Sequence, residues 1–266
     1  MNEKSNGDQT PLVIVTGGAS GIGEATLRKF VSAGWRTVSA DVNTERGNAI
    51  AEELSALGAK HEFVRLDVSD ENAVNQFASD VYAKHGPVAA VVNSGGVLQN
   101  AIRITDMPIA DFDRIIDINL RGSVLMGKAF GRRMSETGGG SIVNLCSLTS
   151  FQATPQPAYG MSKAAVKMLT EQMAAEFGPR GVRVNAVAPG YTLTPAMKQR
   201  IDSGQRDPAT IIAKSALRKF VEPKDVGEAI FFLCSSAASA ITGATLPVDA
   251  GWLVYSVYSA AAAQPE

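Results

Sequence analysis

Seven short segments of the chain are almost continuously apolar and contain many β-branched residues. Because adjacent side chains of a strand point to opposite faces, such runs predict strands that are covered on both faces. This pattern is typical of a parallel sheet between two layers of helices. The predicted strands are residues 12–16, 36–41, 62–66, 88–93, 141–146, 183–188 and 245–248.

Longer segments with a helical period of apolar residues separate these strands. Asp70 and Pro223 stand at the starts of two of them, where N-caps and prolines are common. Strands that alternate with helices predict an α/β fold: a single, doubly wound Rossmann-type domain with a seven-stranded, mostly parallel sheet and helices on both faces. The predicted helices are residues 21–33, 44–57, 70–84, 108–136, 157–178 and 223–235.

The domain organisation follows from the same pattern. No linker rich in Pro, Gly or Ser divides residues 1–266, so we expect one domain. Residues 1–10 and 259–266 are predicted to be flexible tails. Residues 191–219 show no strand pattern and contain only scattered apolar side chains. A long irregular insertion in a compact domain is usually functional, and this one is predicted to be a substrate-binding lid.

The composition of the chain limits the kinds of partner that it is expected to bind. The formal net charge is −1, so no positive field favours nucleic acid or an anionic membrane, and neither is expected. No signal peptide or membrane-spanning stretch is recognisable. The cysteines, Cys146 and Cys234, lie in apolar surroundings and are predicted to be reduced thiols of a cytoplasmic protein. With only His61 and His85 as histidines, no metal site is expected.

A glycine-rich turn follows the first predicted strand and opens the first predicted helix. Glycines at this place permit a tight turn and the close approach of a pyrophosphate, which the free N–H groups of the helix N-terminus bind. A purely structural turn is the alternative, and the position after the first strand makes it the weaker interpretation. The residues expected to contact the cofactor here are Gly17, Ser20, Gly21, Ile22 and Gly23.

The second predicted strand ends at Asp41. A carboxylate at this position accepts hydrogen bonds from both ribose hydroxyls of an adenosine and repels a 2′-phosphate. The glycine turn contains no Arg or Lys, so NAD is favoured over NADP; a loop cap is the alternative role of Asp41. Ligands of open α/β sheets bind at the carboxyl ends of strands, which adds Val42, Asp67, Val68, Asn93, Ser94 and Gly95.

Four residues are candidates for catalysis. Tyr159 and Lys163 are four positions apart at the start of a predicted helix and share one of its faces. An ammonium and an oxidised nicotinamide would lower the pKa of the phenol enough for general acid/base catalysis. Ser147 ends the fifth strand and is placed to bind the substrate oxygen. Asn119 lies in the long predicted helix, where it is expected to fix a water that leads to Lys163 or to stabilise a helix irregularity.

Each of these residues also has a structural interpretation. Tyr-x-x-x-Lys is a common surface pair, a serine at a strand end is commonly a turn residue, and a single asparagine in a helix is commonly a buried amide. Their order in the chain, after a glycine turn of this type, favours one shared catalytic site.

These motifs together resemble the short-chain dehydrogenase/reductase superfamily in its single-domain form, from about Leu12 to Leu253. The segment from Thr16 to Gly23 resembles the cofactor turn of that family. Asn93-Ser94-Gly95 resembles its Asn-Ala-Gly segment, with Ser94 in place of Ala, and Ala250 replaces a common Gly near the C-terminus. The residues that match its catalytic tetrad are Asn119, Ser147, Tyr159 and Lys163.

The resemblance implies a dinucleotide-binding, catalytic domain that transfers a hydride between NAD and a secondary alcohol or ketone. Tyr159 would move the hydroxyl proton, Ser147 would orient the oxygen, and Lys163 would bind the nicotinamide ribose. The family's Pro-Gly segment implies that Pro189, Gly190, Thr192 and Thr194 contact the nicotinamide end.

The resemblance also implies a homotetramer built on the segments 108–136 and 157–178 and on the C-terminal segment. The apolar residues of the C-terminal segment fit burial by another subunit and burial within the same subunit equally well. They are Leu253, Val254, Tyr255, Val257 and Tyr258.

The substrate is expected to meet Gln99, Gln156 and Tyr191 in addition to Ser147 and Tyr159. Amides bind hydroxyls, which favours a sugar alcohol or a small diol as the small-molecule substrate. Two alternatives stay open. A ketoreductase of the 3-oxoacyl-carrier-protein type would need a basic docking patch, for which Arg132 and Arg133 are candidates. A catalytically idle dinucleotide-binding regulator would have no need of the tetrad.

Overall fold

The structure, a computed structural model, describes residues 10–261. Its strands are β1 (Leu12–Thr16), β2 (Arg36–Asp41), β3 (His61–Arg65), β4 (Ala90–Asn93), β5 (Gly140–Leu145), β6 (Val182–Pro189) and β7 (Thr245–Val248). They form one seven-stranded sheet of parallel pairs in the order β3-β2-β1-β4-β5-β6-β7. The predicted α/β fold with a doubly wound sheet is confirmed.

The helices include every one predicted from the apolar period. Asp70 caps α3 by accepting hydrogen bonds from the N–H groups of Asn72 and Ala73. Within residues 10–261, no helix has the length and apolar character required to cross a bilayer. The helices are α1 (Gly21–Ser32), α2 (Thr44–Ala56), α3 (Glu71–His85), α4 (Ile109–Ile116), α5 (Gly122–Glu136), α6 (Pro157–Phe177), α7 (Pro195–Asp202), α8 (Pro208–Ala213), α9 (Pro223–Cys234) and α10 (Trp252–Ala261).

Helices cover both faces of the sheet. One apolar core joins α3, α5 and α6 to one face, and a second joins α1 and α9 to the other. Strand β1 gives Ile14 to the first core and Val13 to the second, because adjacent side chains of a strand point in opposite directions. All five residues of β1 are buried. This two-sided cover is what the continuous apolar runs predict.

The predicted helix 108–136 is interrupted. α4 ends at Ile116, a π-helical turn spans Asp117–Arg121, and α5 begins at Gly122. A π turn is a single-turn bulge inside an α-helix and is frequent at functional sites; the apolar pattern predicts one continuous helix here and does not reveal the bulge. Asn119 lies in this turn, at the helix irregularity that was one of its two expected roles.

The lid and the chain ends differ in detail from the prediction. Residues 191–219 contain α7 and α8, each with a proline in its first turn, and the base of the segment is tied down by a bridge between Thr192 and Val221. Residues 1–9 and 262–266, most of the expected tails, lie outside the described residues. Residues 259–261 belong to α10, which the sequence pattern did not predict.

The order of the strands reverses between β1 and β4. The register pairs Thr16 of β1 with Ala40 of β2 on one side and with Asn93 of β4 on the other. The carboxyl ends of three strands therefore meet at one edge of the sheet, around the point where doubly wound folds bind their ligands.

Candidate functional site

A cavity of about 630 Å³ opens at this edge, within the size range of small-molecule sites. Most of the predicted site residues line it, although they come from segments far apart in the chain. From the cofactor prediction these are Gly17, Ser20, Gly21, Ile22, Gly23, Asp41, Val42, Asp67, Val68, Ser94, Gly95, Pro189, Gly190, Thr192 and Thr194, and from the catalytic and substrate predictions Ser147, Gln156, Tyr159, Lys163 and Tyr191.

The glycine turn forms a cradle that side chains would fill. Gly17 has a φ of +67°, and a Cβ there would lie 2.8 Å from the Cα of Gly95. A Cβ on Gly23 would lie 2.0 Å from the carbonyl oxygen of Gly17. The hydroxyl of Thr16 accepts a hydrogen bond from the N–H of Gly95 at 3.1 Å. The bare backbone of two strand ends is thus held together at a helix N-terminus, which fits the pyrophosphate of a dinucleotide.

Asp41 is held at the rim of the cavity by two backbone groups. Its Oδ2 accepts a hydrogen bond from the N–H of Ala19 at 3.1 Å, and its Oδ1 accepts one from Asn43 at 2.9 Å. Each oxygen keeps a second lone pair for a ligand hydroxyl. Arg46, in the first turn of α2, contacts Glu24 at 2.8 Å and Glu53 at 3.5 Å, so its charge is already paired.

The side of the cavity that is predicted to contact nicotinamide is built from the segment after β6. The Thr192 hydroxyl donates to the carbonyl of Gly190 at 3.0 Å. The Thr194 oxygen accepts from the N–H of Met197 at 3.2 Å and caps α7. The proton of the Thr194 hydroxyl is left to be donated to a ligand, as the family resemblance implies for this position.

Ser147 and Tyr159 meet in the cavity. The Ser147 oxygen accepts a hydrogen bond from the N–H of Thr149 at 3.3 Å, so its proton points elsewhere. Burial raises the pKa of the Tyr159 phenol, and its hydrogen bond with the Ser147 side chain lowers that pKa by a smaller amount. In the absence of a cofactor the Tyr159 phenol keeps its proton. Its pKa is raised, whereas a lowered pKa is expected from the sequence.

Lys163 lies beneath Tyr159. Its side chain is 5% exposed, its Nζ donates to the carbonyl of Leu145 at 2.8 Å, and Nζ lies 5.8 Å from the centre of the Tyr159 ring. Burial lowers the pKa of Lys163 to about 8. A cation in so dry a place is costly unless a ligand or a partner charge stabilises it.

This pKa predicts that the stability of the cofactor-free chain depends on pH. Between pH 8 and 10.5 the folded chain has released the Lys163 proton while the unfolded chain still binds it. The free energy of unfolding therefore rises with pH in this window, by about 3 kcal/mol in total. Urea unfolding of the wild type and Lys163→Met at several pH values should give a difference that grows across the window. A constant difference would contradict the lowered pKa.

Asn119 holds the neighbouring segments together. Its Oδ1 accepts from the N–H of Val97 at 2.8 Å, and its Nδ2 donates to the Val97 carbonyl at 3.0 Å and to the Ser162 hydroxyl at 3.1 Å. Ser162 in turn donates to the carbonyl of Tyr159 at 2.8 Å. Asn119 is fully buried and does not line the cavity. It connects the segment after β4 to the helical turn that carries Tyr159.

Comparison with known proteins agrees with this geometry. A family model described as Enoyl-(Acyl carrier protein) reductase matches residues 17–253. D-threitol dehydrogenase from Mycolicibacterium smegmatis is 36% identical over 244 residues, which cover 91% of this chain and 93% of the relative. A solved short chain dehydrogenase/reductase family protein is 34% identical, with a TM-score of 0.81 and coverage of 92% and 98%. The chain belongs to the short-chain dehydrogenase/reductase superfamily.

Other members of this superfamily show how broad its chemistry is. Galactitol 2-dehydrogenase from Rhizobium johnstonii is 37% identical, with coverage of 90% and 93%. The 3-oxoacyl-(acyl-carrier-protein) reductase FabG from Thermotoga maritima is 32% identical, with coverage of 91% and 97%. The structure of ElxO with NADP bound has a TM-score of 0.88 and 31% identity, with coverage of 92% and 99%. The chain is therefore an oxidoreductase of a superfamily that uses nicotinamide cofactors.

Two predicted ligand-contacting residues of this short-chain dehydrogenase/reductase are not in the cavity. Asn93 points into the sheet, where its Nδ2 donates to Asn144 at 2.8 Å. Gln99 is buried beneath the cavity, where its Oε1 accepts from the N–H of Tyr159 at 3.1 Å. A tertiary hydrogen bond holds each side chain away from the cavity lining, and their direct contact with a ligand stays a prediction. Gln99 positions the first turn of α6.

Other lining residues carry no sequence motif. Thr149, Thr154 and Trp252 line the cavity, and each has a buried polar atom without a hydrogen-bond partner among residues 10–261, which suits the binding of a ligand or water. Arg200 and Arg206 of the lid also line it. Tertiary folding brings these residues together, and no local sequence motif predicts that they line the cavity. Within residues 10–261, no group of three His, Cys, Asp or Glu residues could hold a metal ion.

Proposed function

We propose that this chain is an NAD-dependent dehydrogenase that transfers a hydride between nicotinamide and a secondary alcohol or ketone, with Tyr159 as the general acid/base. The observation that supports it best is the convergence of Tyr159, Ser147 and Lys163 on the cavity that the glycine turn also lines. A dinucleotide-binding regulator would have no use for a half-buried phenol beside a buried ammonium at that place.

The residues have distinct roles in this mechanism. When bound, the cofactor supplies the hydride acceptor in one direction and the hydride donor in the other. Ser147 donates a hydrogen bond to the substrate oxygen and holds it beside Tyr159, whose phenol gives or takes the hydroxyl proton. Lys163 binds the nicotinamide ribose. The pKa of the phenol is raised in the free chain, so the fall needed for catalysis comes with the positive charge of the oxidised cofactor.

The preference for NAD rests on Asp41. Asp41→Asn keeps the size of the side chain and removes the charge that repels a 2′-phosphate, so we expect the ratio of kcat/KM for NAD to that for NADP to fall about tenfold to a hundredfold. Glu45→Gln, which removes a charge from the exposed first turn of α2, should keep the ratio. A wild-type chain that prefers NADP would reject the assignment of Asp41.

A sugar alcohol or small diol is the proposed substrate class. It is supported by the lining residues Gln152, Gln156 and Thr154, whose polar groups bind hydroxyls, and by the threitol and galactitol dehydrogenases among the relatives. The relative FabG raises the carrier-protein alternative. The basic patch that it needs is weak here, because one of its two candidate cations, Arg132, is paired with Glu136 at 3.3 Å.

The experiment that tests the proposal is a screen for NAD reduction by the purified chain. Polyols, simple secondary alcohols, steroids and hydroxyacyl thioesters serve as substrates, each with NAD and with NADP. Turnover of polyols with NAD is the expected result. Turnover confined to thioesters would favour the ketoreductase, and binding of NAD without any turnover would favour the idle regulator.

The proposal extends to the assembly and the location of the chain. Three residues of α10 remain largely exposed, namely Val254, Val257 and Tyr258 at 73%, 68% and 66%, and apolar exposure on this scale suits a subunit interface. We propose the homotetramer that the family resemblance implies, and light scattering on the purified chain tests it. Cys146 and Cys234 are buried free thiols, which supports the proposed cytoplasmic location.

A further inference from the structure

The charges that line the cavity are unevenly distributed. Of its carboxylates, Asp41 ends β2 and Asp67 follows β3, on the side proposed for adenosine. Ser147 follows β5, and the strand order places β1 and β4 between the two groups. Apart from Lys163, the charged lining residues on the substrate side are Arg200 and Arg206. The described substrate side therefore carries an excess of positive charge.

Arg200 is held over the cavity by its neighbours. Its Nη2 donates a hydrogen bond to the Oδ1 of Asn100 at 2.9 Å, which links α7 to the segment after β4. The backbone N–H of Arg206 donates to the carbonyl of Arg200 at 3.1 Å, so the two arginines come from adjoining turns of the lid. The side chain of Asn100 is neutral, and its contact leaves the charge of Arg200 uncompensated.

Neither arginine has a carboxylate partner within the part of the chain that the structure describes. The ion pairs among residues 10–261 involve other basic side chains. Both residues are half-buried, so each loses part of its hydration without gaining an ion pair. A guanidinium in such a place is well suited to a carboxylate or a phosphate, which it can bind through two parallel hydrogen bonds.

We infer that Arg200 and Arg206 bind an anionic group on the substrate, so that the substrate is a secondary alcohol that also carries a carboxylate or a phosphate. This inference rests on the proposed function. It narrows the proposed substrate class from polyols in general to polyols that carry an acidic group. The chemistry at the reacting carbon stays the same. The two arginines recognise the far end of the substrate, while Ser147 and Tyr159 bind the hydroxyl that reacts.

A binding experiment tests this without requiring turnover. The full-length chain is saturated with NADH, which occupies the anion site of the glycine turn. Calorimetry then compares D-glucitol with D-gluconate, which has a carboxylate at one end, and with D-glucitol 6-phosphate. Charge-assisted hydrogen bonds are about twice as strong as neutral ones, so we expect at least one anion to bind about tenfold to a hundredfold more tightly than the neutral polyol. The anion that binds more tightly distinguishes carboxylate from phosphate.

Three variants show where the preference arises. Arg200→Met combined with Arg206→Met should reduce the affinity ratio of anion to neutral polyol to near one. Lys198→Met removes a charge from an exposed position of the same helix and should keep the ratio. Asn100→Ala removes the support of Arg200 and leaves its charge, so most of the preference should remain. The affinity for NADH is measured for every variant.

The outcomes separate this inference from the proposed function. The inference would be overturned if the wild type bound the anions and the neutral polyol with equal affinity, or if the preference for an anion survived loss of both arginines. It would also be overturned if the double variant lost affinity for NADH alone. If neutral polyols are oxidised and no anion is preferred, the proposed function stands alone. If the anion preference depends on the arginines while no alcohol reduces NAD, the anion site stands and the proposed dehydrogenase activity fails.

Discussion

Replacing Tyr159 by Phe should lower kcat about a thousandfold while the affinity for NADH changes less than about twofold. General acid/base groups contribute about 10²- to 10⁴-fold to rates, and this variant removes only the proton-bearing oxygen. The phenyl ring still packs over Lys163, whose Nζ lies 5.8 Å from the ring centre, so the cavity keeps its shape. Steady-state kinetics and NADH titration measure the two quantities on the same preparation.

A matched variant controls for the loss of a tyrosine hydroxyl as such. Tyr82→Phe removes a buried hydroxyl from α3, outside the cavity, and should turn over like the wild type. Loss of turnover in Tyr159→Phe together with loss of NADH binding would indicate a structural role for the hydroxyl. Unchanged turnover would show that Tyr159 is not the acid/base group.

The strands and the cofactor turn were predictable because their signals are local. A strand buried on both faces is largely apolar, and β1, whose five residues are all buried, has the bounds that its apolar run predicts. Gly17 sits immediately after β1 and Asp41 is the last residue of β2, so the position in the chain also fixes the position at the edge of the sheet. No long-range contact has to be known to place them.

The orientation of polar side chains was not predictable in the same way. Asn93 follows the same rule of position, yet a hydrogen bond to Asn144, 51 residues away, turns it inward. Gln99 is drawn beneath α6 by Tyr159, 60 residues away. The amide of either residue could bind a ligand or the protein equally well, and only the tertiary contact decides between them.

The lid was the least predictable part for a related reason. Its helices α7 and α8 span eight and six residues, and helices this short are set by tertiary packing and not by an apolar period. The position of Arg200 over the cavity depends on the orientation of α7. The sequence predicts a substrate-binding lid, and the fold is needed to show which side chains of this segment face the cavity.

Gly23→Ala should reduce the affinity for NADH more than a hundredfold and lower the free energy of unfolding by about 1–3 kcal/mol. The added Cβ would lie 2.0 Å from the carbonyl oxygen of Gly17, far inside van der Waals contact. The oxygen belongs to the backbone and a Cβ is fixed directly to its Cα, so neither atom can swing away and the turn itself must shift. Overpacking of this kind costs about 1–3 kcal/mol, and displaced N–H groups no longer meet the pyrophosphate.

Gly178→Ala is the matched control for this variant. A Cβ on Gly178 has no heavy atom within 4 Å, and its φ of −51° suits alanine, so both stability and NADH affinity should stay close to those of the wild type. Urea unfolding and NADH titration on the three proteins measure the two effects separately. If Gly23→Ala binds NADH weakly but has the stability of the wild type, the glycine turn has shifted at the cofactor site without destabilising the rest of the fold. Normal NADH binding by that variant would mean that the tight approach of Gly17 and Gly23 is not what holds the cofactor.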